Sequence, residues 1–170
     1  DIVIITNIDF DHPDTYKNLE DVYNTFIEFA LKLSLCGFLL YCENDPGAKK
    51  VAEEVSNLRQ DIQVIPYGAG GTEMFSVKQR KLRKGVSEFE IASSTEVFTI
   101  HAPGEHNITN AVGAMAAAAA ILSCQTSSIL QDILPQVIEA AKKNLPHFSG
   151  CDRRSELLGE AKNIIIMDDY

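Results

Sequence analysis

The sequence predicts an α/β fold, a partial parallel sheet with flanking helices plus a small antiparallel β-meander, truncated at both ends. Three observations predict it. Short apolar runs alternate with helical stretches over the first 66 residues, an order that gives parallel strands joined by right-handed crossovers. Between 73 and 101 the hydrophobic period shortens to two, the mark of half-buried strands. The chain opens at Asp1 directly into Ile2-Val3-Ile4-Ile5 and closes on an apolar run followed by Asp168-Asp169-Tyr170, so both ends read as cuts.

Residues 1–7 are β-branched at nearly every position, which predicts a strand buried on both faces. Asn18 is the expected N-cap of the crossover helix, whose stripe is Leu19, Val22, Tyr23, Phe26, Ile27, Ala30 and Leu33. A second strand is expected over 37–42. Asp45-Pro46 then supplies a cap with proline at the first helical position, and Val51, Val55 and Leu58 carry that helix. Ile62 to Ile65 forms the third strand, with Pro66-Tyr67-Gly68 expected to end it.

The period-two residues Phe75, Val77, Phe89, Ile91, Phe98 and Ile100 predict a meander that forms a separate small sheet beside the parallel one. Pro103-Gly104 closes it. An alanine-rich helix follows over about 106–122, where small side chains let a helix approach a sheet closely. A further helix is expected over 127–143, disturbed near its start by Pro135. Residues 163–167 make a last strand. The domain boundary is expected at 147/148, with 148–170 forming a hinge and the first strands of a second domain.

Composition narrows the function. Fifteen basic against 24 acidic residues give a net charge of −9, which repels the phosphate backbone on which nucleic-acid affinity depends. The most apolar stretch, 111–122, falls short of the ~20 residues of a membrane span. The four cysteines form no C-x-x-C pair and suit reduced thiols in a cytoplasmic protein. Neither nucleic acid nor membrane is therefore expected as a partner, and any phosphate site must be built locally.

Three segments carry candidate chemistry. Thr6-Asn7-Ile8-Asp9-Phe10-Asp11-His12-Pro13-Asp14-Thr15-Tyr16 follows the first strand directly, at the carboxyl end of a parallel sheet, where open α/β folds place ligands. Its imidazole and three carboxylates suit a hard cation near phosphates; a self-bonded turn is the alternative. Asn107 and Asn110 lie three apart at the start of the alanine-rich helix, on one flank of its first turn. Their amides match the donor and acceptor edge of adenine, or one of them caps the helix. Arg153-Arg154 offers guanidinium forks for phosphate, or an ordinary surface pair. Asp168-Asp169 suits ribose hydroxyls, or a polar exit from the core.

Read in order with Gly104-Glu105-His106-Asn107-Ile108-Thr109-Asn110-Ala111, Phe148-Ser149-Gly150 and the terminal Asp168-Asp169-Tyr170, these segments resemble the motifs of the Mur ligases. The resemblance spans nearly the whole chain, from the second half of the ATP-binding central domain into the start of the C-terminal domain. Its wording is nearest to the branch that adds L-alanine. It implies ATP and Mg2+ as cofactors, UDP-N-acetylmuramate and L-alanine as substrates, and an acyl phosphate intermediate. It further implies that His12 ligates magnesium, that Asn107 and Asn110 flank adenine, and that Arg154 reaches the γ-phosphate. Asp169 would hold the ribose and Tyr170 would lie on the substrate side. The family's Gly-Lys-Thr phosphate loop is absent from this sequence, so the piece alone is expected to be inactive. Lys17 and Lys32 do not match the position of the carbamylated lysine of some relatives, so no carbamate is expected. A tripeptide-recycling ligase of the same family and a non-catalytic nucleotide-binding scaffold are the competing readings.

Overall fold

The structure, a computed structural model, describes all residues except 84, 103, 149, 152–155, 163, 169 and 170. Six strands form one mixed sheet in the order β1-β2-β3-β4-β5-β6. β1 (Ile2–Ile5), β2 (Phe38–Cys42) and β3 (Gln63–Ala69) run parallel. β4 (Phe75–Arg83) pairs parallel with β3, and β5 (Val86–Ile91) and β6 (Phe98–Ile100) complete an antiparallel meander. A second, two-stranded sheet comprises β7 (Glu156–Ala161) and β8 (Ile164–Asp168).

Helices cover both faces of the large sheet, and alternation along β2 divides the core between them. Leu39 turns toward α1 (Leu19–Ala30) and α2 (Pro46–Leu58), where it packs with Val22, Ile27, Val51 and Val55. Phe38, Leu40 and Cys42 turn the other way, toward α3 (Glu105–Thr126), with α4 (Leu130–Asn144) completing that side. Both expected caps form: Asn18 Oδ1 accepts from the Asp21 amide at 3.0 Å, and Asp45 Oδ1 from the Ala48 amide at 2.7 Å. α3 is long and apolar enough to cross a membrane by composition alone, but Val112, Ala116, Ala119 and Ala120 are buried in the core. A Cβ on Gly113 would lie 2.8 Å from the Tyr67 ring, so the small residues of α3 permit its close approach.

Four expectations are corrected. The meander is not a separate sheet, because Tyr67, Gly68 and Ala69 pair with Phe75, Ser76 and Val77. Parallel neighbours ordinarily need a crossover of a dozen or more residues. Here residues 70–74 suffice because the pairing is short and Gly68 and Gly70 take φ of 123° and 103°, which side chains disfavour. Pro66 does not end β3 either. The Tyr67 carbonyl faces β2, accepting from the Glu43 amide, so the proline nitrogen one residue earlier faces the side where β4 has not begun pairing. No ladder bond is lost there.

β1 is an edge strand in this chain, and Ile4 is exposed while Ile2 and Val3 are half-buried, in place of full burial on both faces. Finally, α4 begins at Leu130, not 127, because Ser127 takes a left-handed φ of 54° that ends α3. Pro135 lies within α4 without ending it.

Candidate active site

The loop after β1 leaves the carboxyl end of the parallel strands, as the sequence predicts, and is pinned there from outside. Ile8 is buried, and its amide donates to Asp45 Oδ1 at 3.1 Å, the same oxygen that caps α2. Gly47, in the first turn of α2, makes this approach possible: a Cβ there would lie 2.9 Å from Ile8 Cβ and 3.0 Å from the Tyr23 ring. Asp45 therefore fixes both the helix start and the loop that carries His12. Its capping role is legible in Asp-Pro; its bond to a residue 37 positions away is not.

Beyond Ile8 the loop closes into a turn. The His12 carbonyl accepts from the Thr15 and Tyr16 amides at 2.8 and 3.0 Å, with His12 itself at φ 55°. Asp11 Oδ1 accepts from the His12 amide at 2.7 Å. The self-bonded turn forms: backbone and Asp11 bonds shape it, and the His12 imidazole projects from it, 73% exposed, with Nε2 3.8 Å from Asp11 Oδ2. Among the described residues no three His, Cys, Asp or Glu converge as a complete metal site. That donor set fits magnesium held jointly with phosphate oxygens, since the ion ordinarily keeps substrate and water ligands, and does not fit an all-protein cage.

α3 brings the second motif to the same edge. Gly113 lies against Ile4 and Tyr67, near the carboxyl ends of β1 and β3, while the helix's last turn reaches Asp1, Phe38 and Gln63 at the opposite end. α3 therefore runs against the strands, and its first turns stand at their carboxyl edge. The N-cap is Gly104, with φ 100° and no side-chain cap, so neither asparagine occupies the N-cap position. Asn107 and Asn110 instead border a groove of about 410 Å³ between α3 and α4, walled by Met115, Val137, Leu145 and Phe148. The Phe148 carbonyl accepts from the His101 amide at 3.2 Å, which docks that end of the chain against β6. The groove was not foreseeable from the motif, because half of it belongs to α4.

Arg154, Asp169 and Tyr170 lie outside the described residues. A larger cavity, about 770 Å³, opens at the amino end of the strands between Cys36 and Ser127, away from both motifs.

A mixed sheet wrapped by helices, with the His12 loop and the N-terminus of α3 at its carboxyl edge, defines a doubly covered α/β architecture. Residues 1–118 match the Mur ligase middle domain, and the chain belongs to the Mur ligase family. It is 32% identical over 173 residues to UDP-N-acetylmuramate–L-alanine ligase of Treponema pallidum (strain Nichols), covering 99% of this chain and 34% of that protein. The enzyme of the same name from Clostridium kluyveri is 31% identical, with 99% and 34% covered. The chain thus spans about a third of the length of the curated relatives it matches. Among solved structures it is similar to MurF of Acinetobacter baumannii, with TM-score 0.71 and 18% identity over 99% of this chain and 33% of that one. An FPGS-AMPPCP complex matches at TM-score 0.70 and 18% identity, over 99% and 38%; at these identities the likeness is one of fold.

Proposed function

We propose that this chain is the nucleotide- and metal-handling part of a cytoplasmic, ATP-dependent, ADP-forming ligase that joins L-alanine to UDP-N-acetylmuramate in peptidoglycan precursor synthesis. The observation that carries the reading is the shared placement of the His12 loop and the Asn107–Asn110 turn at one edge of the sheet, in a chain whose full length aligns with relatives of that name. In this reading the Asn107 and Asn110 amides meet the base at the mouth of the α3–α4 groove, whose apolar wall accepts its flat face. His12 offers an imidazole nitrogen to magnesium, which when bound would screen the phosphate charge against an incoming carboxylate. Asp11 holds the turn from which that imidazole projects. Arg154 at the γ-phosphate, Asp169 at the ribose and Tyr170 toward the substrate rest on the motif match, and 148–170 is the hinge into the next domain.

His12→Ala in the full-length enzyme tests the assignment. The side chain is exposed, so its loss opens no core cavity and is expected to leave the unfolding midpoint unchanged while turnover at limiting magnesium falls by about 10²-fold or more, the scale of a lost charge-stabilising group. Full turnover in this variant refutes the role of His12. Offering L-alanine against a preformed tripeptide as the amine separates the two ligase readings, and nucleotide binding without turnover of either supports the scaffold.

A further inference from the structure

A second polar site lies on the α1–α2 face of the sheet, at the carboxyl ends of β2 and β3. Past the end of β2, Glu43 donates its amide to the Tyr67 carbonyl, which brings it level with Gly68, and Gly68 is level with Ser76 on β4. Glu43, Gly68 and Ser76 therefore form one row across three strands. The glycine leaves the outer two side chains room to reach inward, and the Asn44 amide oxygen lies over Gly68. Ser76 is 1% exposed. Both Ser76 Oγ and Glu43 Oε2 are buried and make no hydrogen bond among the described residues.

Two such oxygens are costly, since a buried polar atom without a partner forfeits its hydration. They also converge. A Cβ on Gly71 would lie 2.8 Å from Ser76 Oγ and 3.1 Å from Glu43 Oε2, so the loop between β3 and β4 roofs both atoms and glycine keeps the roof clear. The surroundings are negative: the Tyr41 hydroxyl is held above its ordinary range first by burial and then by Glu43, Glu53 and Glu73. Among the described residues none of these three carboxylates makes an ion pair. The donor set is oxygen only, which selects hard cations over soft ones. An anion would face like charge.

We propose that Glu43 and Ser76, beneath Gly71, form a binding site for a small hard cation. It sits beside the β3–β4 junction, where the parallel strands hand over to the meander, and would tie that junction together. The proposal is independent of the ligase reading. Thermal unfolding of the full-length protein, without nucleotide, in chloride salts of potassium, sodium, magnesium and calcium against tetramethylammonium at matched ionic strength tests it. A midpoint rise of several degrees is expected with at least one small cation, the monovalent and divalent arms showing which. The rise is expected to vanish in Glu43→Gln and in Gly71→Ala, and to shrink in Ser76→Ala. As a direct readout, terbium luminescence sensitised by Tyr41 is expected for the parent and lost in Glu43→Gln, a variant that removes a buried charge without changing shape. Equal midpoints in all salts would mean that an ordered water bridges the two oxygens, and would overturn the proposal. So would a cation-specific rise that survives Glu43→Gln in a His12→Ala background, where the magnesium of the ligase reading makes no contribution.

Discussion

Replacing Asp45 by alanine removes one oxygen that serves two amides, and the structure allows the cost to be bounded. The Ala48 amide at 2.7 Å is a first-turn donor of α2; losing such a cap costs about 1 kcal/mol, with a range of roughly 0.5–2. The Ile8 amide at 3.1 Å is part-buried beneath the side of the loop, and orphaning a buried donor costs about 1–3 kcal/mol. Because both bonds end on Oδ1, the two terms couple, so their sum of about 2–4 kcal/mol is an upper range and not a simple total. For a chain of this length that corresponds to roughly 5–15 °C in midpoint. Asp45→Asn keeps an acceptor oxygen and is expected to recover most of the loss. The assay is denaturant unfolding of the three proteins, with amide exchange read at Ile8 and Ala48. Exchange at Ile8 is expected to accelerate in the alanine variant even under conditions where β2 and β3 stay protected, since the loop loosens before the sheet does. An alanine variant within 0.5 kcal/mol of the parent, or an asparagine variant as unstable as the alanine, would refute the dual role.

Tyr67→Phe is expected to blunt alkaline unfolding. Burial, with smaller contributions from Cys42 and Asp45, pushes the Tyr67 hydroxyl well above its ordinary value, so the neutral form is favoured in the folded state. Its stabilising contribution is fully present below about pH 10, the unfolded value, and is lost as pH rises beyond it; urea midpoints measured from pH 8 to 11 are expected to fall less steeply in the variant. Pro135→Ala is expected to stabilise, reversing the usual sign of a truncation. Pro135 is exposed in the interior of α4, and alanine restores a donor for the Gln131 carbonyl, worth about 1–3 kcal/mol by the interior cost of proline; a loss of stability in thermal melts would show that the proline ring contributes packing.

The parts of this fold legible in the sequence are those whose signals are local. Asn18 and Asp45-Pro46 announce helix starts because a cap and its amide lie within three residues, and Phe89, Ile91, Phe98 and Ile100 announce strands because alternation is a property of neighbours. The features that escaped are settled across the chain. Pro66 reads as a strand end until one knows that β4 pairs only from Tyr67 onward, and Ile4 reads as core until β1 is seen at an edge. The site divides in the same way. Topology alone places the His12 loop, because a parallel strand must deliver its following residues to the carboxyl edge. What holds the loop there is invisible in the motif. Ile8 is clamped by a cap and a glycine belonging to α2, so the loop and the second crossover behave as one mechanical unit. A loop transplanted without Asp45 and Gly47 would keep every residue of its motif and lose the position of the imidazole. The motif specifies which atoms are offered, while the packing of α2 against Ile8 specifies where they are offered.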